Sequence, residues 1–95
     1  MKTVKAVIPT ENGWKYVQQL CKHWAHKLDV ELGEQKGIVR FAEATAVMTC
    51  DASSLTVDIE AASDDVLERM KGVVASHLDR FAFREAPLPF DWTPA

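Results

Sequence analysis

Cysteine is scarce in this chain of 95 residues, since only Cys21 and Cys50 occur. The two stand in unlike sequence surroundings, so no disulfide framework is predicted and a reducing cytoplasm is the expected compartment. The N-terminal segment also lacks the apolar core of a signal peptide. No apolar run approaches the roughly 20 residues of a membrane span. The sequence therefore predicts a cytoplasmic protein with no membrane partner.

An excess of positive charge is missing as well, because 11 Lys and Arg residues are outnumbered by 14 Asp and Glu residues. A formal net charge of -3 argues against a nucleic-acid surface, which needs clustered basic residues. The four glycines are isolated, so no phosphate-binding loop is present. No serine stands in a pattern with His and Asp, and catalytic apparatus is not recognisable.

The residues that are present form one domain over 1–95, with 47% hydrophobic and 26% charged side chains. Alternating apolar residues predict a strand over 3–8. A helix over 14–28 is predicted by the 3-4-3-4 spacing of Trp14, Val17, Cys21, Trp24 and Leu28, and Thr10 or Asn12 can cap it.

Four short extended runs follow, over 30–32, 38–41, 45–51 and 55–61. Their short connections can join only antiparallel neighbours. Ser63 and the acidic residues after it start a second amphipathic helix whose apolar stripe reaches Phe81. Residues 84–95 contain three prolines and cannot extend that helix far, so an extended strap packed on the body is expected.

The predicted fold is thus α+β, a two-layer sandwich with the element order β-α-β-β-β-β-α. An antiparallel five-stranded sheet carries both helices on one face, and the opposite face is polar. This element order is similar to the TATA-binding-protein-like half-repeat, although a fold analogy says nothing about function.

Two histidines and two lysines lie close together in residues 20–27. On a helix, His23 and His26 are three residues apart on the polar side, so their rings can converge on one metal ion, with Gln19 as the only obvious helical neighbour for a third ligand. The alternative is a solvated basic face. Lys22 and Lys27 make the same face cationic, which suits an anionic chelate or an acidic partner surface.

Other charged residues extend these hypotheses. Arg84, near the end of the second helix, is a candidate to hold a carboxylate or phosphate, or else to complement the helix dipole and pin the tail. Outward-facing acids on the second helix offer a surface complementary to the basic one, which would allow a homodimer. These acids are Asp64, Asp65, Glu68 and Asp79.

His77 falls inside the apolar stripe of the second helix. Together with Cys21 and Cys50, which are expected to point inward, it would form a buried site for a soft metal or redox chemistry. The structural alternative is that His77 bonds a backbone carbonyl or the tail and that the thiols act as small hydrophobic groups.

Residues 20–27 and 76–85, together with Asp91 and Trp92, resemble the signature stretches of the bacterial family catalogued as domain of unknown function 2218. Members of that family occur alone or fused to siderophore-interacting, flavin-binding ferric reductases. The resemblance therefore implies an iron-acquisition context, with a ferric chelate or such a reductase as partner. It supplies no established catalytic residues.

These observations favour a small cytoplasmic binding module in iron–siderophore handling. Its ligand-binding residues would be Lys22, His23, His26, Lys27 and Arg84, with His23 and His26 as the metal ligands. The alternative is an interaction or structural domain with no small ligand, and an enzyme with a buried centre of Cys21 and His77 ranks third.

Overall fold

The computed structural model describes residues 2–94, and in it two helices and six strands follow one another along the chain. The elements are β1 (Lys2–Pro9), α1 (Gly13–Trp24), β2 (Asp29–Gly33), β3 (Lys36–Arg40), β4 (Ala44–Cys50), β5 (Ser54–Ala61), α2 (Asp64–Phe81) and β6 (Thr93–Pro94). The four middle strands follow one another through short turns, and each pairs antiparallel with the next. None of the helices within 2–94 is long and apolar enough to cross a membrane.

All strands lie in one open antiparallel sheet with the order β2-β3-β4-β5-β1-β6. The predicted α+β fold is confirmed, but the sheet has six strands where the sequence predicted five. The added strand, β6, is only two residues long and pairs Thr93 with Lys5 and Pro94 with Val4. Proline donates no backbone hydrogen bond, so it is tolerated here because β6 lies at the sheet edge.

The sheet has one buried and one polar face. Val4, Ala6 and Ile8 of β1 point to the buried face, where both helices pack. The intervening residues point the other way, and there Lys5 lies opposite Asp58 with 3.8 Å between Nζ and Oδ1. This division arises because successive side chains of a strand alternate between the two faces.

Helix α1 ends earlier than its apolar spacing predicts. It stops at Trp24, and the amide groups of Lys27 and Leu28 both donate to the carbonyl of Trp24 in a closing turn. Leu28 is nevertheless half-buried against the core. The apolar spacing extends to Leu28 because this side chain packs on the core. It does so from the closing turn, so the spacing predicted one helical turn too many.

The two helix starts differ in their capping. Ser63 caps α2 as predicted, since its hydroxyl accepts from the amide of Val66 at 3.3 Å. Asn12 stands at the cap position of α1, but its side chain makes no capping hydrogen bond. The amide of Asn12 instead donates to Thr10 Oγ1 at 3.1 Å, so neither predicted cap contacts the second or third residue of α1.

The segment after α2 packs on the body at several points. Leu88 is 5% exposed, and its amide donates to Asp79 Oδ1 at 2.9 Å. Asp79 was predicted to face outward with the other acids of α2. It is half-buried instead, because its carboxylate satisfies a backbone amide of the tail.

Candidate functional site

Four of the predicted binding residues are exposed, namely Lys22, His23, His26 and Lys27. They are called the basic surface below. Lys22 and His23 belong to the last turn of α1, whereas His26 and Lys27 lie in the turn that follows. The sequence predicted that His23 and His26 share one face of the helix. They do not, because α1 ends at Trp24 and His26 lies beyond it. Both residues nevertheless lie at the C-terminal end of α1, His23 in its last turn and His26 two residues beyond it.

The charges of the basic surface are not neutralised within the fold. The ammonium groups of Lys22 and Lys27 form no ion pair with any carboxylate in residues 2–94. Basic side chains near a helix C-terminus also interact favourably with the partial negative charge of the helix end. The surface is thus a local excess of positive charge on a protein whose net charge is -3.

His23 lies next to His77 of helix α2. Their ring centroids are 5.6 Å apart at an interplanar angle of 46°. The His77 ring also packs on Trp24 at 4.9 Å, and the His23 ring packs edge-on against Phe81 at 5.9 Å. The structure therefore joins His23 to His77 across two helices, a grouping that the spacing along α1 could not reveal.

The orientation of His77 is fixed by a backbone hydrogen bond. Its Nδ1 lies 2.7 Å from the carbonyl oxygen of Val73, one turn earlier in α2. A carbonyl oxygen only accepts, so Nδ1 carries the proton and Nε2 of the neutral ring keeps its lone pair. The structural alternative for His77 was a hydrogen bond to a backbone carbonyl, and its Nδ1 makes that bond.

The buried centre of Cys21, Cys50 and His77 is not found. Cys21 is buried, and burial raises the pKa of its thiol. Cys50 is only half-buried, at the end of β4, where its thiol contacts Gln35 Oε1 at 3.4 Å. Burial, followed by the charge of Asp51, raises the pKa of Cys50 as well. No group of three His, Cys, Asp or Glu side chains within the described part of the chain could hold a metal ion.

Arg84 lies near the other end of α1 from the basic surface. Its guanidinium carbon is 5.8 Å from the centroid of the Phe83 ring, and the next residue, Glu85, bonds to Thr10, Asn12 and Tyr16 around the start of α1. Tyr16 precedes Lys22 by six residues, which is about 9 Å along a helix. The structure thus brings four of the five predicted binding residues to one end of α1 and places Arg84 toward the other.

A carboxylate cluster that the sequence did not indicate ties the tail to α1. Glu85 accepts hydrogen bonds from the hydroxyl of Tyr16, from Thr10 Oγ1 at 2.9 Å and from Asn12 Nδ2 at 3.2 Å. These donors hold the pKa of Glu85 below its usual value, the bond from Tyr16 having the largest effect. Burial and the bond to Glu85 raise the pKa of Tyr16.

Sequence reasoning missed this cluster because its members lie 69 to 75 residues from Glu85 along the chain. No local spacing connects groups that far apart. Thr10 is 5% exposed, and burial of a polar group requires a partner, but this burial is known only from the structure, so no signal in the sequence indicated the cluster.

The side chain of Gln19, on α1, has a polar atom that the fold leaves unsatisfied. Its Oε1 is buried and accepts no hydrogen bond from any residue in 2–94. Gln19 lies three residues after Tyr16 and four before His23, and both of these side chains contact α2 or the segment after it. Residues at these spacings share one helix face, so Gln19 lies on the side of α1 that faces α2.

The polar face of the sheet carries a separate shallow cavity of about 430 Å³. The residues that line it are Thr3, Thr45, Val47, Asp58, Ile59 and Glu60. Asp58 is paired with Lys5 at 3.8 Å, so the charge of this carboxylate is partly balanced within the fold.

Residues 5–93 match the family described as "Uncharacterized protein conserved in bacteria", domain of unknown function 2218. The chain belongs to this family. The chain is also similar in structure and sequence to protein PA4090 from Pseudomonas aeruginosa, whose NMR structure superposes with a TM-score of 0.85 at 33% sequence identity. The superposition covers 100% of this chain and 98% of that one. A comparison with curated proteins finds no match.

Proposed function

We propose that this chain is a small binding module that holds an anionic ferric chelate on its basic surface, in the context of siderophore handling. The family resemblance implies the iron context. The single observation that carries the proposal is the exposed group of Lys22, His23, His26 and Lys27, whose lysines have no carboxylate partner within residues 2–94.

The charges support an anionic ligand. Unpaired ammonium groups attract an anion without first having to break an ion pair, and imidazole nitrogens add hydrogen-bond donors at the same place. The remainder of the protein is acidic, so an anionic ligand is repelled elsewhere and directed to this surface. The acidic face of a siderophore-interacting reductase would be attracted in the same way.

The test is a titration of the chain with ferric tris-catecholate, an anionic ferric chelate, followed by tryptophan emission. Trp24 directly follows His23 in the chain, so the bound chromophore is expected to quench its emission. The double variant His23→Ala with His26→Ala should abolish the quenching.

A charge variant separates electrostatic binding from metal coordination. Lys22→Gln with Lys27→Gln should weaken binding of the chelate at least about fivefold at low salt, because two exposed charges are lost. Lys36→Gln, an exposed lysine on β3, is the matched control and should leave the affinity unchanged. Equal affinity of the wild type and both double variants would contradict the proposal and favour an interaction domain without a small ligand.

A further inference from the structure

We propose that His23, His77 and Gln19 form a binding site for one divalent transition-metal ion between α1 and α2. This site is independent of the proposed function, although the two share His23. It differs from the predicted pair of His23 and His26, because its second histidine comes from the other helix. Its ligands would be two imidazole nitrogens and one amide oxygen.

The first argument is the separation of the two rings. An imidazole nitrogen binds zinc at about 2.0 to 2.1 Å, which places the ring centroid about 3.2 Å from the ion. Two rings at a tetrahedral angle on one ion then have centroids about 5.2 Å apart. The observed 5.6 Å between His23 and His77 differs from this value by a few tenths of an ångström, which a change of side-chain torsion can supply.

The second argument is the hydrogen bond of His77. Histidines that ligate a metal almost always donate their other ring N–H to a carboxylate or a backbone carbonyl, which fixes the tautomer and the ring orientation. His77 has this arrangement already, with Nδ1 at 2.7 Å from Val73 O. The free Nε2 is the nitrogen that would bind the ion.

The third argument is the oxygen of Gln19, which is independent of the rings. A buried polar atom without a partner is rare and calls for an explanation such as an ion. Gln19 Oε1 is such an atom, and Gln19 lies one helical turn before His23 on the side of α1 that faces α2. Bound to a cation, this oxygen would no longer be unsatisfied.

The donor set decides the class of ion. Imidazole nitrogens favour Zn²⁺, Cu²⁺ and Ni²⁺ over Mg²⁺ and Ca²⁺, which prefer sites built from oxygen alone. His23 is exposed and His77 half-buried, so the ion can enter from solvent and keep water in its remaining coordination positions. His26 lies in the turn beyond α1 and takes no part in the site.

The experiment is calorimetric titration of the tag-free full chain with Zn²⁺, repeated with Mg²⁺. The wild type should bind one Zn²⁺ per chain and should not bind Mg²⁺ under the same conditions. His23→Ala, His77→Ala and Gln19→Leu should each weaken Zn²⁺ binding at least about tenfold. His26→Ala is the matched control, since this exposed histidine lies in the turn two residues after the end of α1, and it should bind Zn²⁺ as the wild type does.

A second variant guards against loss of the fold at position 77. His77→Phe keeps an aromatic ring against Trp24 but has no nitrogen, so it should fold, as followed by circular dichroism, and still lose Zn²⁺ binding. Titration with Cu²⁺ should quench the emission of Trp24, whose ring is 4.9 Å from that of His77, and Trp24→Phe should remove that part of the quenching.

The outcomes separate this site from the proposed function. Lys22→Gln with Lys27→Gln should weaken binding of ferric tris-catecholate but not of Zn²⁺, and His77→Phe should do the reverse. The metal site is disproved if the wild type does not bind Zn²⁺, or if folded His77→Phe or Gln19→Leu binds it with unchanged affinity. It is also disproved if His26→Ala weakens Zn²⁺ binding as much as His77→Ala does.

Discussion

A single carboxylate, that of Glu85, connects the segment after α2 to the start of α1. Its three donors are neutral groups, two hydroxyls and an amide, so the bonds favour the ionised form without forming an ion pair. The same bond from Tyr16 lowers the pKa of Glu85 and raises that of Tyr16. The pair is therefore held with a charged carboxylate and a protonated phenol.

Stability against pH follows from the direction of these shifts. The folded pKa of Glu85 is below its unfolded value, so its contribution to folding is complete above the unfolded value, about 4.3, and is lost as the pH falls through the folded one. Glu85→Gln should therefore flatten the fall in the free energy of unfolding at acid pH. Urea unfolding at pH 7 and at several values below 5 measures this.

Two details sharpen the acid measurement. Asp51 also has a lowered pKa, caused first by the amides of Ser53 and Ser54, so part of the acid sensitivity should remain in the variant. Glu34→Gln, which removes an exposed carboxylate in the β2–β3 turn, is the matched control. A pH profile of Glu85→Gln that coincides with the wild type would show that the carboxylate contributes nothing to folding.

The phenol of Tyr16 can be removed without emptying the core. Tyr16→Phe keeps the buried ring, which is 4% exposed, and removes one donor to Glu85. A hydrogen bond to a charged group contributes about 1.5 to 3 kcal/mol, and solvent screening at the exposed Glu85 reduces the contribution to the bottom of that range or below it. We expect a loss of about 1 to 1.5 kcal/mol in the free energy of unfolding at pH 7.

Among the elements, the packing of α1 on β3 depends on one glycine. A Cβ on Gly37 would lie 2.6 Å from Cys21 Sγ and 2.8 Å from Val17 Cγ1, closer than real carbon contacts. These side chains point from α1 directly at the strand. The helix therefore approaches the sheet closely because position 37 has no side chain.

Substitution of two glycines should give effects of opposite sign. Gly37→Ala should lower the free energy of unfolding by about 1 to 3 kcal/mol, since α1 has to move away from β3. Gly72→Ala, in the exposed middle of α2 with no atom within 4 Å of the added Cβ, should raise it by about 0.5 to 1 kcal/mol. Thermal unfolding of both variants measures the difference, and a Gly37→Ala protein as stable as the wild type would contradict the close packing.

Helix α1 also shows how local pattern and tertiary contact differ in what they predict. Its apolar spacing correctly predicted which side packs on the sheet, because that spacing reflects burial. It did not predict the end at Trp24, because Leu28 is half-buried against the core although it lies in a turn. The partner of His23 could not be predicted either, since which residue of α2 comes opposite depends on how two separately predicted helices cross.

For the molecule as a whole, the segment after α2 attaches to the rest of the fold at three different places. Glu85 bonds to the start of α1, Leu88 enters the core beside Asp79, and Thr93 and Pro94 pair with β1. The predicted strap over 84–95 follows this path, with Ala95 outside the described residues. These contacts connect both helices and the sheet edge.

The core contact of the strap is testable with a matched pair. Leu88→Ala removes a side chain that is 5% exposed and should lower the free energy of unfolding by about 2 to 3 kcal/mol. Phe83→Ala, at a ring that is 72% exposed, should change it by less than about 0.5 kcal/mol. Urea unfolding of both variants gives the comparison, and equal stabilities would mean that the strap does not contribute to the core.

The sequence by itself determined the class of fold, the order of the elements from β1 to α2, the cap at Ser63 and the polar and apolar faces of the sheet. These properties follow from neighbours within a few residues, whose periods of 2 and 3.6 report directly on burial. Only the tertiary structure decided that Glu85 meets Tyr16, that His77 meets His23 and that β6 pairs with β1. Those contacts join residues about 50 to 90 positions apart. They depend on how the helices cross and on the path of the tail, and no local spacing in the sequence encodes either of these.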